Sequence, residues 1–97
     1  MDDKTRMLAR VPLFARLGRS GLAEVAALAD EVDVTAGTVL TTEGRTGGEF
    51  FVIVDGAVSV ARGGTIVRTL GAGDFLGEIA LIDGGPRTAT ATATVPT

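Results

Sequence analysis

A glycine, a carboxylate and an arginine lie close together near the end of the 97-residue sequence and could hold an anion between them. Gly77 lets the backbone approach a ligand closely, and a short helix starting near Glu78 would direct free amide groups and its positive dipole end at a phosphate. Arg87 can supply the remaining charge, because its planar guanidinium donates to two phosphate oxygens and stays protonated. This spacing predicts a phosphate-binding site.

Glu78 fits a different part of such a ligand. An ionised carboxylate only accepts hydrogen bonds, so it can bind a sugar hydroxyl through a charge-assisted bond of about 1.5–3 kcal/mol. Apolar strand residues such as Val60 and Val67 would form a wall along which a base could lie. A phosphate, a sugar hydroxyl and a base together describe a nucleotide.

The side-chain inventory argues against catalysis. The sequence contains no Cys, His, Tyr or Trp, so it offers no thiolate nucleophile, imidazole base, or nitrogen or sulfur metal site. The serines, Ser20 and Ser59, have no imidazole partner. We expect a protein that is not an enzyme and that needs no metal or cofactor. The net charge of -3, without a basic stripe, also argues against direct nucleic-acid contact.

Nothing in the sequence indicates insertion into a membrane. The first residues contain no apolar core of a signal peptide, and no later run approaches the roughly 20 apolar residues of a membrane span. We therefore expect a cytoplasmic protein without a membrane partner.

The elements that must position the site begin with two helices. Residues 4–10 predict a short helix that stops before Pro12, because proline restricts the residue that precedes it. Apolar residues at helical spacing after Ser20, a candidate N-cap, predict a second helix. We expect a single domain over residues 1–97, with a helical element at 1–30 and a β-roll at 31–97.

Short β-prone runs follow the helices and are separated by glycine-bearing turns. Asp55-Gly56 predicts a two-residue type I′ hairpin turn, and Arg62-Gly63-Gly64 predicts the next turn. The predicted strands before the anion site cover residues 32–34, 38–42, 49–54, 57–61 and 65–70. The predicted fold class is mainly β: a β-roll or jelly-roll-like barrel of short antiparallel strands, with N-terminal helices and a short helix in the phosphate-binding segment.

Residues 88–95 alternate threonine with small apolar residues, which predicts a final strand. A flexible Thr/Ala tail is the alternative. If the strand pattern extends back one step, Arg87 shares a face with Ala89, Ala91 and Ala93 and points inward. An inward arginine needs a partner, and a buried ion pair with Glu78 that only orders the turn is the structural alternative to a ligand.

The residues named above resemble the cyclic nucleotide-binding domains. The phosphate-binding cassette of that family has the form Phe-x-Gly-Glu-x-Ala-Leu, a short turn, and then Arg-Thr-Ala or Arg-Ser-Ala. Residues 75–81 and 86–89 fit both parts, and Val11-Pro12-Leu13-Phe14 with several later glycines extends the resemblance over most of the chain. It implies an eight-stranded β-roll behind an N-terminal helical element.

The resemblance also implies roles for the site residues. Glu78 would bind the ribose 2′-hydroxyl, Arg87 the cyclic phosphate, and the Thr88 hydroxyl the phosphate or a purine amino group. The ligand would be cAMP or cGMP, with cAMP preferred. The backbone amides that would help to hold the phosphate are those of Ile79, Ala80 and Ala89.

Family members usually continue with another strand and two helices, the last of which covers the base. This sequence stops at Thr97, so we expect it to lack that lid. The predicted function is a cyclic nucleotide-binding regulatory module. The alternative is a ligand-free relic of the fold that serves as an oligomerisation or protein-interaction domain, as a homodimer or against an effector domain. A small cupin-like enzyme is disfavoured by the absence of His.

Overall fold

A computed structural model describes residues 3–77 and 85–97 of the chain. Its contacts divide the chain into two compact units, Met1–Asp33 and Val34–Thr97. None of the helices in the described ranges has the length and apolar character needed to cross a membrane. The first unit contains helix α1 at Asp3–Ala9, a 3₁₀ helix at Pro12–Phe14 and helix α2 at Arg19–Leu28.

The first unit has a small apolar core. Leu8, Leu22 and Ala26 are buried together, since the helical spacing of the last two places them on one side of α2. The Lys4 Nζ donates to the Ala29 carbonyl at 2.7 Å and so links the start of α1 to the end of α2. Both predicted helices are therefore present and pack on each other through apolar side chains.

The predicted start of α2 is wrong. The helix begins at Arg19, so Ser20 lies inside its first turn rather than at the cap. Gly18 occupies the N-cap position in an extended conformation, with no side-chain hydrogen bond. Glycine is an accepted N-cap residue, which is why the helix can begin before the serine.

The second unit contains six strands in its described part. They form a four-stranded sheet in the order β1-β6-β3-β4 and a two-stranded sheet of β2 with β5, and all pairs are antiparallel. The mainly β fold class is confirmed, although the sheets form a roll and not a closed barrel. The predicted helix after Gly77 lies outside the described residues. The strands are β1 at Val39–Thr41, β2 at Phe51–Val52, β3 at Ala57–Arg62, β4 at Thr65–Gly71, β5 at Phe75–Leu76 and β6 at Thr90–Ala93.

The turn predicted at Gly63-Gly64 is confirmed, and it joins β3 to β4. Arg62 pairs with Thr65, which leaves a two-residue loop whose glycines have φ values of 59° and 81°. Positive φ at both positions is what a type I′ turn requires.

The hairpin predicted at Asp55-Gly56 is wrong. Strand β2 pairs with β5 and not with β3, and Asp55 does not have the positive φ of a type I′ turn. The physical reason is that β2 and β3 belong to different sheets, so residues 55–56 carry the chain from one sheet to the other. Gly56, with φ 112°, makes this crossing against Thr97, where a side chain would collide.

The ends of the roll differ from the predicted strands in length. Residues 32–34 do not form a strand, yet Val34 and Thr97 exchange two backbone hydrogen bonds of 2.8 and 2.9 Å. The last strand is shorter than predicted, but its alternation is confirmed, because Ala91 and Ala93 are buried whereas Thr90 and Thr92 are partly exposed. Ala91 joins a core formed with Ile53, Val58 and Leu70.

Candidate ligand-binding site

A cavity of about 160 Å³ lies in the second unit. One wall is the β3–β4 hairpin, and another is the segment that leads into β6. The predicted site residues Glu78, Ile79 and Ala80 lie outside the described residues, so their positions stay predictions. The structure brings the other five predicted residues to this one cavity: Val60, Gly77, Arg87, Thr88 and Ala89.

The register of the strands explains the hairpin wall. Val60 lies opposite Arg68 on β4 and opposite Ala91 on β6, and directly opposed residues of antiparallel strands share a face of the sheet. The β3–β4 register shifts after Val60, so that Val67 is the extra residue of a β-bulge. Consecutive residues Val67 and Arg68 therefore both line the cavity, which the strict alternation of a regular strand would not allow.

The main chain of Arg87 is fixed by the loop after β1. The Gly44 amide donates to the Arg87 carbonyl at 2.9 Å, and the Arg87 amide donates to the Arg45 carbonyl at 2.8 Å. The Arg87 side chain points inward and is only 6% exposed. The predicted orientation toward the side of Ala91 and Ala93 therefore agrees with the structure.

The guanidinium of Arg87 has one satisfied end and one unsatisfied end. Its Nη2 donates to the Glu49 carbonyl at 2.7 Å and approaches the Glu49 Oε2 at 3.3 Å. Its Nη1 is buried and has no hydrogen-bond partner within residues 3–77 and 85–97. A buried donor on a charged group is costly when it is unpaired, and an anion in the cavity would remove that cost.

Two glycines leave the space that the guanidinium occupies. A Cβ at Gly77 would lie 2.8 Å from Arg87 Nη1 and 2.6 Å from the Glu49 carbonyl oxygen, and Gly77 also has a φ of 97°. A Cβ at Gly47 would lie 3.1 Å from Arg87 Nε and Nη2. A side chain at Gly77 would displace the arginine, so glycine is required there by the contact as well as by the backbone, whereas at Gly47 a shift of the guanidinium by a few tenths of an ångström would suffice.

The described lining of the cavity is positively charged although the whole chain has a net charge of -3. Arg62, Arg68 and Arg87 line it, and none of its described lining residues is acidic. Apolar surface from Val60, Leu70 and other strand residues lies beside these cations. A ligand that combines an anionic group with an apolar part fits this lining.

Comparison with protein families identifies the fold. The family model described as cyclic nucleotide-binding domain matches residues 31–97. The chain belongs to this family. The predicted family resemblance is therefore confirmed, and the roll described above is that of a cyclic nucleotide-binding domain.

Three similar proteins place this domain among known ones. A cyclic nucleotide-gated potassium channel from Rhizobium etli is 44% identical over 88 residues, which cover 91% of this chain and 24% of the channel. The structure of cAMP-bound PfPKA-R matches with a TM-score of 0.90 and 26% identity, over 95% of this chain and 33% of that one. A cyclic nucleotide-binding-like protein from Brucella abortus matches with a TM-score of 0.81 and 33% identity, and the match covers 99% of this chain and 86% of that protein.

Thr88 and Ala89 of the cyclic nucleotide-binding domain are fixed through their carbonyl groups. The Arg62 Nε donates to the Thr88 carbonyl at 3.3 Å, and the Thr41 hydroxyl donates to the Ala89 carbonyl at 3.1 Å. Thr88 is exposed, so its hydroxyl is accessible at the cavity. The segment that follows Arg87 is thus held on both sides by neighbouring strands.

Sequence reasoning missed three polar residues of this domain. Glu49 provides a carboxylate beside Arg87, whereas the pairing considered from the sequence was with Glu78. Arg62 and Arg68 add two cations to the cavity. Arg62 could have been found, because it precedes the Gly63-Gly64 turn on the same face as Val60. Glu49 could not, because its contact with Arg87 joins residues 38 positions apart.

Proposed function

We propose that this domain binds a cyclic nucleotide without chemical turnover and passes the binding event to an effector. The observation that carries the proposal is the Arg87 Nη1, a buried donor without a partner among the described residues, in a cavity lined by further arginines. The negatively charged cyclic phosphate would accept a hydrogen bond from this Nη1 donor, while Nη2 stays bonded to Glu49.

The remaining roles follow from this placement of the phosphate. Glu78 would bind the ribose 2′-hydroxyl, and the Thr88 hydroxyl would contact the phosphate or the base. The base would lie against Val60, with Val67 beside it on the hairpin. The amides that would support the phosphate belong to Ile79, Ala80 and Ala89.

We place cAMP ahead of cGMP as the ligand, and the cAMP in the matching PfPKA-R structure supports this order. The effector is a matter of proposal, since the chain spans only 24% of the Rhizobium etli channel. A channel gate or a kinase would be a suitable effector class, and a cytoplasmic location would give access to the nucleotide. A homodimer is the simplest assembly in which such a domain could act.

Calorimetric titration with cAMP and cGMP tests the proposal. Arg87→Ala is expected to weaken binding by about 2–3 kcal/mol, or about 30- to 150-fold, because the charge-assisted fork is lost. Arg87→Lys keeps the charge but not the planar guanidinium, so its affinity should lie between those of the wild type and Arg87→Ala. Arg45→Ala is the matched control, because Arg45 is exposed, does not line the cavity and contacts Arg87 only through its main chain.

Two results would contradict the proposal. The first is the absence of binding heat from the wild-type domain at millimolar concentrations of either nucleotide. The second is a loss of affinity in Arg87→Ala that is equally large for adenosine, which has no phosphate. Urea unfolding of each variant separates loss of binding from loss of fold.

A second candidate function is a ligand-free interaction domain. The contact that favours it is the ion pair of Arg87 with Glu49, because this pair partly compensates the buried charge without any ligand. Sedimentation velocity with and without cAMP distinguishes the two candidates. An assembly that forms through this domain and ignores both nucleotides would favour the second.

A further inference from the structure

Glu43 connects two neighbouring segments, the β3–β4 hairpin and the chain that leads into β6, both of which contribute residues to the cavity. Its Oε1 accepts from the Gly63 amide at 2.9 Å, at the tip of the β3–β4 hairpin. Its own amide donates to the Thr90 hydroxyl at 3.0 Å, at the start of β6. The next residue, Gly44, donates to the Arg87 carbonyl at 2.9 Å. The hairpin tip is thus joined to Arg87 by three links in series: the hydrogen bond from Gly63 to Glu43, the peptide bond from Glu43 to Gly44, and the hydrogen bond from Gly44 to Arg87.

Two side-chain hydrogen bonds attach the hairpin tip to other segments within residues 3–77 and 85–97. The β3–β6 ladder ends at the pair of Ala61 with Thr90, so beyond it the tip keeps the pairing of β3 with β4 but has no ladder to β6. Of the two side-chain contacts, one is the Glu43 hydrogen bond to Gly63, and the other is the bond from Arg62 Nε to the Thr88 carbonyl at 3.3 Å. Both contacts lead from the hairpin to the segment that contains Arg87.

We propose that Glu43 is a positioning residue that fixes the distance between the hairpin wall and Arg87. This inference rests on the proposed function, in which the phosphate lies at Arg87 and the base runs along the hairpin from Val60, which the β3–β6 ladder fixes, toward Arg62, which lies beyond that ladder. A ligand that contacts both walls gains affinity when they are already at the right separation, because binding then costs less ordering. A ligand that reaches only Arg87 gains nothing from this contact.

The test compares Glu43→Ala with Glu43→Gln. Glu43 is exposed, so its replacement is expected to leave the fold intact. Glu43→Ala removes the acceptor of the Gly63 amide and is expected to weaken cAMP binding by about three- to tenfold. Glu43→Gln keeps an acceptor oxygen at the same place and should restore most of the affinity.

A smaller ligand separates positioning from a general structural effect. Ribose 3′,5′-cyclic phosphate has the phosphate and sugar but no base, and its binding can be followed by NMR titration. Glu43→Ala should bind it as the wild type does. Glu31→Ala is the charge control, because Glu31 is an exposed carboxylate outside the cavity, and its removal changes the net charge equally.

The inference is overturned if Glu43→Ala binds cAMP as well as Glu31→Ala does. It is also overturned if the base-free ligand loses as much affinity as cAMP. Failure of the wild type to bind either ligand would refute the proposed function instead. In that case amide hydrogen exchange of the ligand-free protein still tests the positioning role of Glu43. The Gly63 and Gly64 amides should exchange faster in Glu43→Ala than in the wild type, and unchanged exchange there would refute that role.

Discussion

Replacement of Gly77 by alanine should separate the backbone requirement at this position from the contact with Arg87. The new Cβ would lie 2.8 Å from Arg87 Nη1 and 2.6 Å from the Glu49 carbonyl oxygen. The guanidinium ends a flexible side chain and can shift away, whereas the carbonyl belongs to the main chain, so its contact can be relieved only by a backbone adjustment. Gly37→Ala is the matched control, because Gly37 has nearly the same φ, 92° against 97°, with open space around its Cβ.

The magnitudes follow from these contacts. In both variants the left-handed backbone conformation should cost about 1–2 kcal/mol of the free energy of unfolding. Gly77→Ala should lose about 1–3 kcal/mol more, because the added methyl group overpacks the arginine and the carbonyl. A displaced guanidinium also loses its hydrogen bonds to the phosphate, which is expected to reduce cAMP affinity by about 10- to 150-fold.

Urea unfolding and calorimetry measure the two effects separately. Gly37→Ala should be destabilised but bind cAMP as tightly as the wild type, whereas Gly77→Ala should show both losses. If Gly77→Ala binds cAMP normally and unfolds like Gly37→Ala, then the close approach to Arg87 has no energetic consequence. The placement of the phosphate at this guanidinium would then be wrong.

Two other substitutions test the contacts around the cavity. Glu49→Gln removes the negative charge beside Arg87. We expect cAMP affinity to stay the same or rise about threefold, because the phosphate no longer competes with a carboxylate for the guanidinium. A tenfold loss of affinity in calorimetry would show instead that Glu49 helps to hold the ligand. Thr41→Val removes the hydroxyl that donates to the Ala89 carbonyl and accepts from the Ala91 amide. The unfolding free energy should fall by about 1–3 kcal/mol, since a buried amide is left unpaired, while Thr41→Ser should stay near the wild type; equal stability of Thr41→Val and Thr41→Ser would refute this.

The features that the sequence predicted correctly are those that depend on neighbouring residues. Alternation over residues 90–93 requires only the two-residue period of a strand, and it also directed Arg87 inward. The Gly63-Gly64 turn requires only two residues that accept positive φ. The part of the site that leads into β6 was predictable because the alternation of a strand, continued back to Arg87, gives the direction of each side chain along it.

The features that the sequence did not predict depend on pairing between distant segments. Asp55-Gly56 has the composition of a hairpin turn, but the partner of β2 is β5, more than 20 residues further along the chain. Local turn preferences cannot decide between two sheets when the choice depends on which core the strands cover. Glu49 was missed for the same reason, because only the folded roll brings its carbonyl to Arg87.

Arg68 shows how a single irregularity can change the chemistry of a site. Counting back from the two-residue turn pairs Arg62 with Thr65 and Ala61 with Ile66. A regular ladder would continue with Val67 opposite Val60 and then Arg68 opposite Ser59. The bulge at Val67 shifts the register by one, so Arg68 lies opposite Val60 instead and shares its face of the sheet. Without the bulge this cation would point away from the cavity. The positive lining therefore depends on the register shift as much as on the arginines themselves, because a regular ladder that kept Val67 would turn Arg68 away from the cavity without changing its identity.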